Sequence, residues 1–321
     1  MTAYPEHRRP PLRLTPALVA LLLLAAALVT WVVAVQRMRG MDAGPGTDLG
    51  GLGWYVGIWV TMMAAMMFPS AAPMVLLFQR VSTERAKRGQ PFVPTWVFTL
   101  SYLVVWTAYG LAAYGLYRLL VRLDTSFFDW QRGGRWLAGG AIAAAGLYEL
   151  TPLKSVCLRH CRSPLHFVLG HWRDGVGGAL RMGVEHGAYC VGCCWGLMVV
   201  LFALGVMSLT WMTVVAGLIF AQKVLPRGQA LTRVFAVAFV AGGIWVAAAP
   251  GSVPGLTLPN SDAANRARDR MMGMRPSAGM PMGGAPAKET PMHGVSTTPK
   301  PMGGMPGRPA RTTPATRPGS R

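Results

Sequence analysis

The chain has 321 residues, 52% of them hydrophobic and only 13% charged, with a formal net charge of +19. Soluble chains carry about 25% charged residues, so this composition excludes an ordinary soluble domain and points to membrane spans of roughly 20 apolar residues each. In such a protein the basic excess belongs to orientation and anionic lipid, which excludes nucleic acid as the expected partner and leaves the bilayer itself.

Residues 1–13 form a basic arm with Arg8, Arg9 and Arg13. Residues 14–35 are one apolar run, longer than the roughly 7–15 residues of a signal-peptide core, and read as a retained first span. A glycine-rich loop over 40–53 leads to a second span over 54–78, and the third covers 92–120. The fourth, 136–150, ends in "GLYELTPLK", placing Glu149 at the membrane edge, where a carboxylate must be hydrated, paired or ligating. Lys154 and Lys223 are candidate partners for it. A polar stretch over 151–180 precedes the fifth span, 182–209. A short sixth span covers 211–225, and a seventh runs over 231–249. Residues 251–321 are rich in Pro, Gly, Ser and Thr, which predicts disorder.

The expected fold is therefore all-α: a polytopic transmembrane helix bundle of about seven spans over residues 14–250, with a disordered C-terminal tail. The arm and the loops over 79–91, 151–181 and 223–233 are all basic. The positive-inside rule puts these four segments on one side, with the N-terminus in the cytoplasm and the tail outside.

Five cysteines, none in the segments expected outside, argue against a disulfide framework and for a thiol metal or redox site. In "HGAYCVGCCW", His186 and Cys190 are four residues apart, and Cys193 and Cys194 follow at three and four beyond Cys190. On a helix these four side chains form one stripe about two turns long. Thiolate and imidazole are the ligands that a soft or borderline metal takes, Cu(I) first and Zn(II) second. The stripe is expected in the cytoplasmic half of span five, with Glu185 beside it. Gly183, Gly187, Gly192 and Gly196 flank it and permit close helix approach. The bland alternative is that buried cysteines are small hydrophobes.

Cys157 and Cys161 share a helix face in "KSVCLRHC", with His160 between them. Lys154, Arg159 and Arg162 are expected to favour thiolate there. In "WVTMMAAMMFPSAAPM" of span two, Met62 and Met66 lie one turn apart, as do Met63 and Met67, and Pro69 and Pro73 interrupt the helix hydrogen bonds. Methionine most often fills gaps; the alternative is a thioether station for Cu(I). Eight of the twenty methionines fall in the tail, near His293, and either belong to a plain extension or capture metal.

Three of these stretches, "WVTMMAAMMFPSAAPM", "YELTPLKSVCLRHCRSP" and "GVEHGAYCVGCCWGLM", occur in this order over about residues 50–230. Together they resemble a bacterial family described as predicted metal-binding integral membrane proteins, a domain-of-unknown-function family numbered 2182. The resemblance implies a multi-span fold and metal binding, a copper-chaperone label for some members, and no established activity. It supports Cys157, Cys161, His186, Cys190, Cys193 and Cys194 as ligands. An acidic residue is expected before the lysine of "AQKVLPRG", where this chain has Gln222.

Three functions follow as rivals. The first is copper delivery, sequestration or export at the Cys/His site, with a metallochaperone or metalloenzyme as partner. The second is a membrane thiol–disulfide oxidoreductase using Cys190 and Cys193. The third is an assembly subunit whose cysteines only pack. A secondary metal transporter is a variant of the first, since a proline-broken span is typical of such sites. No nucleotide-binding motif accompanies them, so the chain reads as a carrier and not an enzyme.

Overall fold

A computed structural model of the chain describes residues 15–122 and 130–272. Among them every regular element is helical. The order is α1 (Pro16–Met38), α2 (Leu52–Lys87), α3 (Thr95–Arg122), a π turn (Trp130–Gly134), α4 (Arg135–Glu149), α5 (Pro152–Arg162), α6 (Pro164–His171), α7 (Gly175–Leu204), α8 (Leu209–Val224), α9 (Gly228–Ala248), a 3-10 turn (Pro250–Ser252) and α10 (Asp262–Met271).

The helix starts are written locally. Thr15 and Thr151 accept from the backbone N–H of Leu18 and Lys154, at 3.2 and 3.3 Å, and each precedes a proline at the first helical position. Ser261 does the same for Ala264 at the start of α10. The long α7 stops at Gly205, whose φ of 119° suits glycine.

Five helices are long and apolar enough to cross a membrane: α1, α2, α3, α7 and, over Ala230–Ala248, α9. The 15 residues of α4 and 16 of α8 rise only about 22–24 Å at 1.5 Å per residue, short of a hydrocarbon core of about 30 Å. They are the fourth and sixth segments expected from the sequence, present as helices but short ones.

Burial separates the spans into centre and rim. The most apolar window of α2 is 61% buried and that of α7 56%, against 17% for α1 and 22% for α9. The outward residues of α1 are Leu21, Leu22, Leu24 and Leu28, each more than half exposed, a surface suited to lipid.

Partners are set by small residues and aromatic anchors. Tyr55 Oη donates to Gly110 O at 3.0 Å and Trp59 Nε1 to Trp106 O at 2.9 Å, so α2 and α3 run antiparallel. A Cβ on Gly183 would stand 2.5 Å from Phe98 O, and one on Gly187 would meet Val105. α7 therefore lies directly on α3, parallel to it.

Two boundaries differ from the sequence reading. α7 begins at Gly175, not 182, so Cys190–Cys194 lie near the middle of the helix and not in one half. Residues 251–272, which composition assigns to the tail, carry the 3-10 turn and α10. Ala264 and Ala267 are buried against Ala43, and Thr257 Oγ1 donates to Asp42 Oδ2 at 3.1 Å. Small alanines let this polar helix sit closely on the 40–53 loop. The arm over 1–13 and the methionine-rich stretch from 273 onward lie outside the described residues.

Candidate metal centre

α7 carries the centre. Cys190, Cys193 and Cys194 are 0%, 0% and 1% exposed, and their sulfurs all lie within 4.8 Å of one another. Cys193 Sγ is 3.2 Å from Cys194 Sγ and donates to Cys190 O at 3.2 Å. Metal–sulfur bonds of about 2.3 Å place the sulfurs of one ion about 3.8–4.0 Å apart, so small rotations of these side chains bring all three onto a single soft cation.

A fourth sulfur comes from α5. Cys161 Sγ is 3.7 Å from Cys193 Sγ. Of the five cysteines Cys161 alone is not buried, which makes it the thiol that joins the buried group to the surface. Cys157, one turn earlier on the same face, stands against the backbone of α7: a Cβ on Gly192 would lie 2.6 Å from its sulfur. It supports the docking of α5 but is outside the group of three mutually close sulfurs.

The cation at the thiols is not the one expected. Lys223, from the end of α8, places its ammonium 2.9 Å from Cys190 Sγ, and Tyr102 Oη of α3 lies 3.1 Å from the same sulfur. Lys154 is occupied elsewhere. Its ammonium is 2.6 Å from Glu149 Oε1 and 2.9 Å from Gln222 Oε1, and it also bonds Cys193 O. Gln222 Nε2 completes the ring by donating to Glu149 Oε2 at 2.6 Å. Glu149 and Lys154 are both nearly inaccessible, so the carboxylate is paired inside the protein and does not reach interfacial water. Arg162 caps the end of α8, donating to Gln222 O at 2.5 Å and Pro226 O at 3.0 Å, and Arg159 is exposed. With those cations engaged or distant, burial outweighs Lys154 and pushes the Cys157 thiol up from its ordinary range, opposite to the expectation from basic neighbours.

The remaining candidates are placed around the group. His186 is buried one turn before Cys190, its ring stacked on Phe98 and Tyr102 at 5.8 and 5.5 Å, and its Nδ1 has no hydrogen-bond partner among the described residues. Its nitrogens are not part of the close set of ligand atoms. His160 faces away from the thiols: its ring lies flat on Tyr189 at 4.1 Å and its Nδ1 is 2.9 Å from Val156 O. Glu185 pairs with Arg181 at 2.9 Å. Met62, Met63, Met66 and Met67 are all buried in the same cluster as Cys190, Cys193 and Cys194.

Against this geometry the comparison with known families is informative. A family model described as copper chaperone, PpoB2, matches residues 56–246, more than half of the chain. The chain belongs to the PpoB2 copper chaperone family. The match runs from the first turns of α2 to the last turn of α9 and takes in every cysteine. It supports the copper-related family that the three motifs resemble, without carrying the numbered designation. No curated protein and no solved structure matches the chain.

For a member of a copper chaperone family the donor set fits its cargo. Thiolates suit soft metal ions, and three of them around one ion of low charge would leave excess negative charge, which the Lys223 ammonium would offset in a buried site where an unpaired charge is costly. Sequence reasoning reached the thiols but treated Lys223 only as a partner for Glu149. Its signal was present: a lone basic residue inside the apolar run "GLIFAQKV" is a functional candidate. Tyr102 had no signal, being one aromatic among many in α3.

Proposed function

We propose that the chain is a membrane-embedded carrier for Cu(I). It receives the ion from a donor protein at the α5–α6 end, holds it at Cys190, Cys193 and Cys194, and yields it to an acceptor. The observation that carries this reading is the gradation of one thiol set, with Cys161 partly exposed and 3.7 Å from Cys193, and the other three buried within 4.8 Å of one another. An incoming ion exchanges a donor sulfur for Cys161, then Cys161 for Cys193, so a bond forms before one is lost and the ion is never bare. No oxidation state changes and no substrate is turned over, so the protein acts as a carrier and not as an enzyme. The basic loops support an orientation with the N-terminus and the α5–α6 end facing the cytoplasm, and the reading takes the membrane to be the inner membrane of a bacterium.

The test is elemental analysis of the detergent-purified protein loaded anaerobically with copper or zinc, beside Cys190→Ser/Cys193→Ser/Cys194→Ser. Near-stoichiometric copper that vanishes in the triple variant supports the reading. Equal copper in both chains refutes it, and zinc retained in preference to copper reassigns the cargo.

One contact favours a second reading. Cys161 and Cys193 stand close enough to be joined as a disulfide, passing two electrons and two protons to a partner disulfide that becomes two thiols. That reading expects reversible oxidation of this pair and no retained metal.

A further inference from the structure

Methionine is not a general filler in this chain. α3, α4 and α9 contain none, α1 has only Met38 at its last position and α8 only Met212, with Met207 just before it, whereas α2 holds Met62, Met63, Met66, Met67 and Met74 and α7 holds Met182 and Met198. The thioethers are therefore concentrated on the two most buried spans, beside the thiols. If they served only to fill space, the outer helices would be expected to share them, since methionine and leucine exchange at little cost.

Their direction follows from the packing. On α2 the residues that meet α1 are Ala64 and Phe68, which cluster with Ala27. The four methionines instead belong to the buried cluster that contains Cys190, Cys193, Cys194 and Met198. α2 is antiparallel to α3 and α3 is parallel to α7, so α2 and α7 are antiparallel. Trp59 of α2 stacks on Phe202 of α7 with ring centroids 5.7 Å apart, which joins the two helices at that level. One turn further along each helix lie Met63 and Met198, and the next turn holds Met67 and Cys194, all in one buried cluster. Along α7 itself His186, Cys190, Cys194 and Met198 follow at four-residue steps, all buried. A thioether layer thus adjoins the thiol layer on the side away from Cys161, between it and the end of the bundle that bears the 40–53 loop.

We propose that Met63, Met67 and Met198, with Met62 and Met66 beside them, form a second site for a soft monovalent cation, to which the thiol cluster hands its ion. Thioethers are neutral, need no deprotonation and bind Cu(I) or Ag(I) in preference to hard cations. The transfer is ligand exchange alone: copper–thiolate bonds break as copper–thioether bonds form, and the charge of the ion is unchanged. The positive charge that leaves the thiols is replaced there by protons taken up from water, while the ammonium of Lys223, 2.9 Å from Cys190 Sγ, goes on offsetting the negative charge that remains. This site deepens the carrier reading and rests on it for the hand-over, but the thioether site itself is separately measurable.

The experiment adds Ag(I) under anaerobic, reducing-agent-free conditions to the full chain in detergent, with the methionine methyl groups isotopically labelled for NMR. The chain is compared with Met63→Leu/Met67→Leu/Met198→Leu and with Cys190→Ser/Cys193→Ser/Cys194→Ser. The expected result is a tight first equivalent held by thiols, then a second that moves the methyl resonances of Met63, Met67 and Met198. The leucine variant keeps the first and weakens the second at least about tenfold. Methyl resonances that stay put through the second equivalent overturn the proposal, as does a leucine variant that binds both equivalents like the parent. The methyl shifts are read on the unaltered chain, so they decide the matter even if the leucine variant fails to fold. A cysteine variant that keeps the first equivalent unchanged refutes the thiol reading, while methyl shifts in that same chain uphold the thioether site.

Discussion

Replacing Lys154 by methionine tests how the centre is held. The ammonium makes all three of its hydrogen bonds inside the protein, to Glu149, to Gln222 and to the carbonyl of Cys193, and both charged partners are about 1% exposed. Its loss leaves Glu149 without its buried counter-charge, though still bonded to the Gln222 amide, and leaves Cys193 O without that donor. Breaking one side of a buried ion pair costs about 3–5 kcal/mol, a large share of the roughly 5–15 kcal/mol that keeps a protein folded. Removing both charges, as Glu149→Gln/Lys154→Met, relieves the stranded carboxylate and should regain at least about 2 kcal/mol of the loss. The assay is denaturant unfolding in mixed micelles, followed by tryptophan fluorescence, on the parent, the two single variants and the double. A cost below about 1 kcal/mol for Lys154→Met, or a double variant whose loss is the sum of the singles, would refute the coupling argued from the geometry.

Other outcomes follow from the same contacts. Lys223→Met removes a charged hydrogen bond worth about 1.5–3 kcal/mol, so competition with a Cu(I) chelator should show affinity falling by about 10–100-fold. Cys161→Ser should leave the bound copper near its parental level and slow loading from a donor protein by at least about tenfold in stopped-flow mixing; unchanged loading would remove Cys161 from the route. Gly192→Val sets a side chain against Cys157 Sγ, where a Cβ alone would stand at 2.6 Å. Overpacking of this kind costs about 1–3 kcal/mol and pushes α5 off α7, so thiol-reactive labelling of Cys161 should quicken.

Much of this was legible in the sequence because bilayer physics is coarse. Long apolar runs, basic loops and prolines gave the helices and their order, and the four-residue spacing gave the stripe on α7. What stayed hidden depends on which helices touch. Lys154 is one of the two candidate partners that the sequence offers Glu149, and it is the one that pairs, but nothing in "YELTPLK" says that it also reaches a carbonyl on α7 or that Gln222 closes the ring from α8. With Lys154 engaged in that ring, Lys223 reaches Cys190 instead of Glu149. His160 drew attention by lying between two cysteines, yet it is the immediate neighbour of Cys161, about 100° round the helix from it, and stacks on Tyr189. α10 was missed because a helix rich in Asp, Arg and Asn reads as polar tail, and only its two buried alanines betray a docking face.

Cys193 belongs to two circuits at once. Its sulfur lies among the thiols, and its carbonyl is gripped by a lysine that also holds α4 and the end of α8. A rotation of α7 large enough to re-aim that sulfur must drag the carbonyl with it and strain the grip. Ion binding at the sulfur and the packing of α4 and α8 on α7 therefore share one residue, so a substitution that loosens that packing should also alter how the thiols hold an ion.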